Sequence, residues 1–158
     1  MVEIFTDGSS RGNPGPGGFG VVMRYKGNVK EISKGYRLTT NNRMELLAVI
    51  VGLEAMKRND LKIRIVSDSK YVVDAINKKW VFGWQKKGFK GKKNPDLWRR
   101  YLKISAQFKN LEFVWIKGHA GHPENERCDE LAVERATGSE LLVDAEFEAL
   151  TEENNSLL

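Results

Sequence analysis

The chain is predicted to be an α/β protein with a mixed five-stranded sheet, and three features of the sequence indicate this. Residues 1–7, 19–27, 29–37, 62–67 and 111–117 are short, rich in Val, Ile, Phe and Tyr, and bounded by Gly or polar breaks, as strands are. Between the third and fourth of them Leu46, Val49, Ile50, Leu53 and Met56 recur at helical spacing. A helix there can carry the chain across the sheet and leave the fourth strand parallel to the first. Segments near 70–79, 81–88, 96–109 and 124–136 supply further helices to flank the sheet.

In chain order, the first three strands are expected to form an antiparallel meander. Arg11–Gly18 reads as a turn by composition, and Lys26-Gly27-Asn28 marks a tight hairpin. In the segment 96–109, Trp98, Tyr101, Leu102 and Phe108 suit an amphipathic helix with Trp98 as its anchor. From Gly138 onward there are six acids and no Lys or Arg. Leu141, Leu142, Val143, Phe147 and Leu150 can line one side of a helix, but the polar end Thr151–Ser156 predicts fraying. The expected organisation is a domain over residues 1–137 followed by an acidic tail over 138–158, free to compete for the basic surface of the body.

A length of 158 residues suits one domain with a sizeable core, and 41% hydrophobic with 30% charged residues fits an ordinary globule rather than a disordered or membrane protein. The sole cysteine, Cys128, permits no internal disulfide. The chain begins on a strand pattern, and no apolar stretch approaches membrane-spanning length. A cytoplasmic monomer with no membrane association is expected. The formal net charge is +5, but ten Lys or Arg lie between Lys78 and Lys103 against Asp96 alone. Trp80, Trp84, Phe89 and Trp98 are interleaved with them, so the segment can combine phosphate neutralisation with ring packing, and a polyanionic partner follows.

Four acids stand out. Asp7 and Asp68 each end an apolar strand-like run, Glu45 lies in the first turn of a helix, and Asp129 belongs to the helix opening near Pro123. Each has a local explanation. Asp7-Gly8 can be a turn, Asn42 and Glu45 have capping-box spacing, the serines beside Asp68 can cap a helix, and Asp129 can be solvated surface. Those explanations do not account for two neighbouring parallel strands ending in carboxylates at one sheet edge, where open α/β sheets bind ligands. Clustered carboxylates repel unless a cation neutralises them or protons are shared, and hard oxygen ligands favour Mg²⁺ or Mn²⁺. His119 and His122 lie among glycines without the cysteines or helical spacing of a zinc site.

Read with its neighbours, the pattern resembles type 1 ribonuclease H of the bacterial kind. Thr6-Asp7-Gly8-Ser9 with Gly12-Asn13-Pro14-Gly15 is similar to that family's first-strand motif, and Thr39-Thr40-Asn41-Asn42-Arg43-Met44-Glu45 to its first-helix motif. Ser67-Asp68-Ser69-Lys70 and the run from Lys117 through His119 to Asp129 complete four blocks in order. The resemblance implies a ribonuclease H-like fold and an endonuclease that cuts the RNA strand of an RNA–DNA hybrid. Two Mg²⁺ ions, for which Mn²⁺ can substitute, would be held ~3.5–4 Å apart and leave 5′-phosphate and 3′-hydroxyl ends.

It further implies that Asp7 bridges both ions, that Glu45 and Asp68 complete one side, and that Asp129 holds the other ion. His119 would exchange protons or help release product, its ordinary pKa being ~6.5, while His122 is structural. Ser10, Asn13, Thr40, Asn41, Asn42 and Lys70 flank the acids and can contact the hybrid, whose 2′-hydroxyls distinguish RNA from DNA. Residues 80–93 would form a protruding basic handle with Trp80, Trp84, Lys86 and Lys87 facing nucleic acid. Two positions depart from the pattern: Lys70 stands where relatives commonly have Gln, and Gly83 where some have Asn. A nuclease of the same fold acting on DNA, or a non-catalytic hybrid-binding module, remains an alternative.

Overall fold

The computed structural model describes residues 1–118 and 120–156. Six strands form one mixed sheet in the order β5-β4-β1-β2-β3-β6. They are β1 (Val2–Ser10), β2 (Gly15–Tyr25), β3 (Asn28–Thr39), β4 (Ile63–Ser67), β5 (Leu111–Trp115) and β6 (Leu141–Leu142). The meander β1–β2–β3 is antiparallel, whereas β4 runs parallel to β1 and β5 parallel to β4. The helices are α1 (Asn41–Glu54), α2 (Lys70–Asn77), α3 (Trp80–Lys86), α4 (Pro95–Ser105), α5 (Pro123–Ala136) and α6 (Ala145–Ser156).

Alternation along the strands divides the core between the two sheet faces. Val2, Ile4, Phe19, Val21, Ile63 and Ile65 pack with Met44, Leu47, Val49, Ile50, Leu53 and Trp98 in the larger core. Phe5, Val22 and Val66 point the other way, onto Cys128 and Leu131 of α5. Close backbone approach makes the second face possible: a Cβ at Gly20 would lie 2.3 Å from the Cys128 carbonyl oxygen. β2 begins at Gly15, four residues earlier than the composition suggests. Gly18 and Gly20 together serve as the bare floor under α5, a Cβ at Gly18 falling 2.4 Å from the Ala132 carbonyl oxygen.

Two expectations need correction. The sheet has six strands, because Leu141 and Leu142 pair in parallel with Gly35 and Tyr36 of β3. The segment after Gly138 is not a loose acidic tail, since β6 is followed by α6, which continues through Ser156. Asp144 is buried at its start, where Thr39 Oγ1 donates to it at 2.8 Å and Arg43 Nε at 2.7 Å. Arg43 also forks onto Asp96 at the head of α4, with bonds of 2.9 and 2.7 Å. On the surface Arg37 pairs with Glu148 at 2.8 Å. At least two of the six acids are therefore committed to particular arginines.

Candidate active site and nucleic-acid surface

The site begins where the sheet divides. Parallel pairing between β1 and β4 stops at Thr6–Ser67, while β1 continues to Ser10 against β2. Asp7 is thus not at the end of its strand, as the sequence suggests, but at the fork where β4 leaves it. Asp68 follows immediately on the other prong. Helix α1 brings the third acid: a Cβ at Gly8 would lie 2.5 Å from the Glu45 backbone nitrogen, so only glycine admits the first turn of α1 this close. Thr40 caps that turn by accepting from the Arg43 N–H at 3.2 Å. The cap expected at Asn42 is therefore replaced by Thr40, and Glu45 is free of any capping-box duty.

Oxygens of Asp7, Glu45 and Asp68 lie within 4.8 Å of one another. Asp7 is buried, its Oδ1 accepting the Gly8 N–H at 2.9 Å, and Glu45 Oε2 is buried without a hydrogen-bond partner among the described residues. Burial, reinforced by the neighbouring Asp68 charge, pushes the Asp7 carboxyl up to about 7. Burial and then the charges of Asp7 and Asp68 raise Glu45 well above the usual carboxylate range. Without a cation the cluster retains protons. Its donor set of hard carboxylate oxygens, with one buried oxygen unsatisfied, fits a divalent ion of the Mg²⁺ or Mn²⁺ type.

Asp129 is not among those three but lines the same small cavity as Asp7 and Asp68, together with Gly118, His122 and Asn125. It is carried there by α5, which Cys128 docks by donating its thiol to the Phe5 carbonyl at 3.2 Å. Asn125, which no local pattern in the sequence marks, joins them. Its amide spans the fork, with Nδ2 at 3.5 Å from the Thr6 carbonyl and 3.4 Å from that of Val66. His119 lies outside the described residues.

The polar residues expected to meet nucleic acid form a connected patch. Asn41 Oδ1 accepts from the Ser10 N–H at 2.6 Å, and the Asn41 N–H donates to Asn13 Oδ1 at 3.1 Å. Asn13, Thr40 and Asn42 line a cavity of about 510 Å³ whose other walls include Lys93 and Arg99. Ser69 caps α2 by accepting from the Val72 N–H at 3.3 Å, so Lys70 opens that helix beside Asp68. In the basic segment Trp80 is exposed, whereas Trp84 packs edge-on against buried Trp98 at 5.8 Å and under the Lys92 ammonium at 5.1 Å. Trp84 is thereby an anchor more than a free platform. Lys86 and Lys87 are exposed at the end of α3.

The family described as RNase H matches residues 1–137. A ribonuclease H from Desulforamulus reducens is 55% identical over 148 residues, covering 90% of this chain and 92% of that protein. Ribonuclease HI from Shewanella oneidensis is 52% identical over 154 residues, covering 94% and 96%. Among solved structures, LC9-RNase H1 superposes with a TM-score of 0.76 at 34% identity, covering 95% of this chain and 80% of that one. LC11-RNase H1 in complex with an RNA/DNA hybrid does so with a TM-score of 0.66 at 32% identity, covering 85% and 95%. With the matching motifs placed around one fork in the sheet, this chain belongs to the ribonuclease H family.

Proposed function

We propose that this protein is an endonuclease that hydrolyses the RNA strand of RNA–DNA hybrids with two divalent ions, leaving 5′-phosphate and 3′-hydroxyl ends. The observation that carries the reading is the convergence of Asp7, Glu45 and Asp68 from three elements within 4.8 Å, with Glu45 Oε2 buried and without a hydrogen-bond partner among the described residues. When bound, the ions supply charge neutralisation at the phosphoryl group, an activated water and stabilisation of the departing oxygen. Mg²⁺ is the expected species, and Mn²⁺ can replace it.

Asp7 would contact both ions, Glu45 and Asp68 one of them, and Asp129 the other. His119 would exchange protons with the water or the departing oxygen. The Ser10–Asn13–Asn41 patch, with Thr40 and Asn42, would hold the hybrid by its phosphates and by the 2′-hydroxyls of the RNA strand. Trp80, Lys86 and Lys87 would contact the DNA side, with Trp84 fixing the segment from beneath. The LC11 relative solved with an RNA/DNA hybrid supports that substrate class. Side-by-side cleavage of RNA–DNA, RNA–RNA and DNA–DNA duplexes, with and without chelator, tests the reading. Cutting only the RNA of the hybrid, and only without chelator, is expected; equal cutting of DNA duplexes would defeat it.

A further inference from the structure

Trp115 ends β5 outside the acid cluster, yet makes two contacts with the segment that carries Asp68. Its indole N–H donates to the Asp68 backbone carbonyl at 2.9 Å, and the Lys70 ammonium lies over its ring, 4.8 Å from the centroid. The strand ladder fixes where the indole starts: Trp115 is paired with Ser67, and the Ile116 N–H donates to the Ser67 carbonyl at 3.0 Å. The residues that follow, Ile116, Lys117 and Gly118, line the cavity shared by Asp7, Asp68 and Asp129. One indole therefore ties the backbone of an acid in the cluster to a cation two residues further along the chain.

Lys70 is an unusual residue with which to open α2, since the N-terminal end of a helix disfavours a cation. Its long side chain would otherwise sample many rotamers, and restricting it before binding removes part of the entropic cost of meeting a ligand. Trp115 remains 41% exposed and Lys70 is exposed, so the pair is open to an incoming anion. An ammonium is a compact point charge that suits a backbone phosphate without base selectivity.

We propose that Lys70, held over the Trp115 ring, binds a backbone phosphate of the hybrid beside the acid cluster, and that Trp115 is the positioning residue for both the Lys70 ammonium and the Asp68 backbone. The inference rests on the hybrid-nuclease reading. Affinity for a labelled RNA–DNA hybrid is measured by anisotropy in chelator across a salt series, alongside kcat and KM with Mg²⁺, for full-length wild type, K70R, K70Q, W115F, W115L and W115L/K70Q. K70Q should flatten the slope of log affinity against log salt by about 0.7–0.9, the loss of one phosphate contact, and K70R should restore it. W115L should weaken binding roughly two- to fivefold, the scale of one exposed cation–π contact, and add little once Lys70 is gone. W115F keeps a ring face but no N–H, so it should lower kcat with affinity nearly unchanged. Wild-type affinity and slope in W115L, or fully additive losses in the double variant, would overturn the proposal. Should W115L fail to fold, the K70Q and K70R pair with W115F decides it, an unchanged slope in K70Q or an unchanged kcat in W115F being fatal. Affinities read in chelator stand or fall independently of the cleavage assay that tests the hybrid-nuclease reading.

Discussion

Arg43 and Glu45 stand two residues apart near the start of α1, and each enters a cluster of carboxylates, but the two clusters are built in opposite ways. Around Arg43, Asp144 and Asp96 are buried or half-buried against one guanidinium whose nitrogens are shared between them at 2.7–2.9 Å. Burial tends to raise the Asp96 carboxyl, yet the Arg43 hydrogen bonds and charge outweigh it and hold Asp96 below its ordinary range. Around Glu45, the same burial is reinforced by like charges, and both Asp7 and Glu45 rise. The first cluster is complete as folded. The second is complete only with protons or a metal, which is how a binding site differs from a structural network made of the same side chains.

The largest expected effect comes from removing a charge on the incomplete side. Asp7→Asn should retain the fold while lowering hybrid cleavage by about 10³-fold or more, as expected when a metal pair worth several kcal/mol to the transition state is lost. It should also raise the metal-free melting temperature at pH 7–8, because a repelling carboxylate has gone. Cleavage near the wild-type rate would sink the metal assignment.

On the complete side the sign reverses. Arg43→Met leaves Asp144 and part of Asp96 buried without their cation and should cost about 3 kcal/mol, the lower end for breaking a buried pair because Asp96 is partly exposed. Urea denaturation with activity assayed below the transition checks this. The folded fraction should still cut hybrid if the two clusters are independent. Deleting everything after Thr137 removes Asp144 and should destabilise comparably, so any change in hybrid affinity has to be read at matched folded fraction.

Acid–base behaviour separates the clusters further. Asp7 has its carboxyl raised from 3.8 to about 7, so between these values the folded state holds a proton that the unfolded state has lost, and stability falls as pH rises through that window. For Asp96, lowered by Arg43, the contribution is present above the unfolded value and is lost as pH falls through the folded one. Melts of the chelated protein should therefore peak on the acid side of neutrality, with a decline toward pH 8 of a few kcal/mol at most. Mg²⁺ should restore stability at pH 8 far more than at pH 5. A metal-free profile that rises steadily to pH 8 would contradict the unneutralised cluster.

Much of the incomplete cluster was legible because its parts are local motifs: apolar runs that stop at Asp7 and Asp68, and a helix start four residues before Glu45. Its finer geometry was not, since the sequence does not say that β1 outruns β4 or that Thr40 takes the cap from Asn42. The Arg43 network was illegible for a different reason. Its partner Asp144 lies 101 residues away in a stretch whose composition reads as a solvated acidic tail. Only the pairing of Leu141 and Leu142 with β3 brings that residue under α1. The contact of the Trp115 indole N–H with the Asp68 carbonyl is illegible in the same way, since the β4–β5 register creates it.

The smallest expected effect lies within the C-terminal segment itself and tests whether burial, not mere pairing, sets the strength of the complete cluster. Glu148 meets Arg37 in a two-pronged contact of good geometry, with bonds of 2.8 and 2.9 Å, and by distance alone it matches Asp144 on Arg43. The difference is solvent on the arginine side: the Arg37 side chain is 59% exposed and that of Arg43 only 4%, whereas the two carboxylates are similarly covered, at 14% for Glu148 and 10% for Asp144. An exposed pair loses little when broken, because water replaces the partner and salt already screens the charges. Glu148→Gln should therefore cost little at low salt and less still in concentrated salt, where Arg43→Met remains severe. Denaturation midpoints of both variants at two salt concentrations make the comparison. Equal losses from the two would mean that α6 docks through the outer pair as much as the inner one, and that the buried guanidinium is not the feature holding the last helix in place.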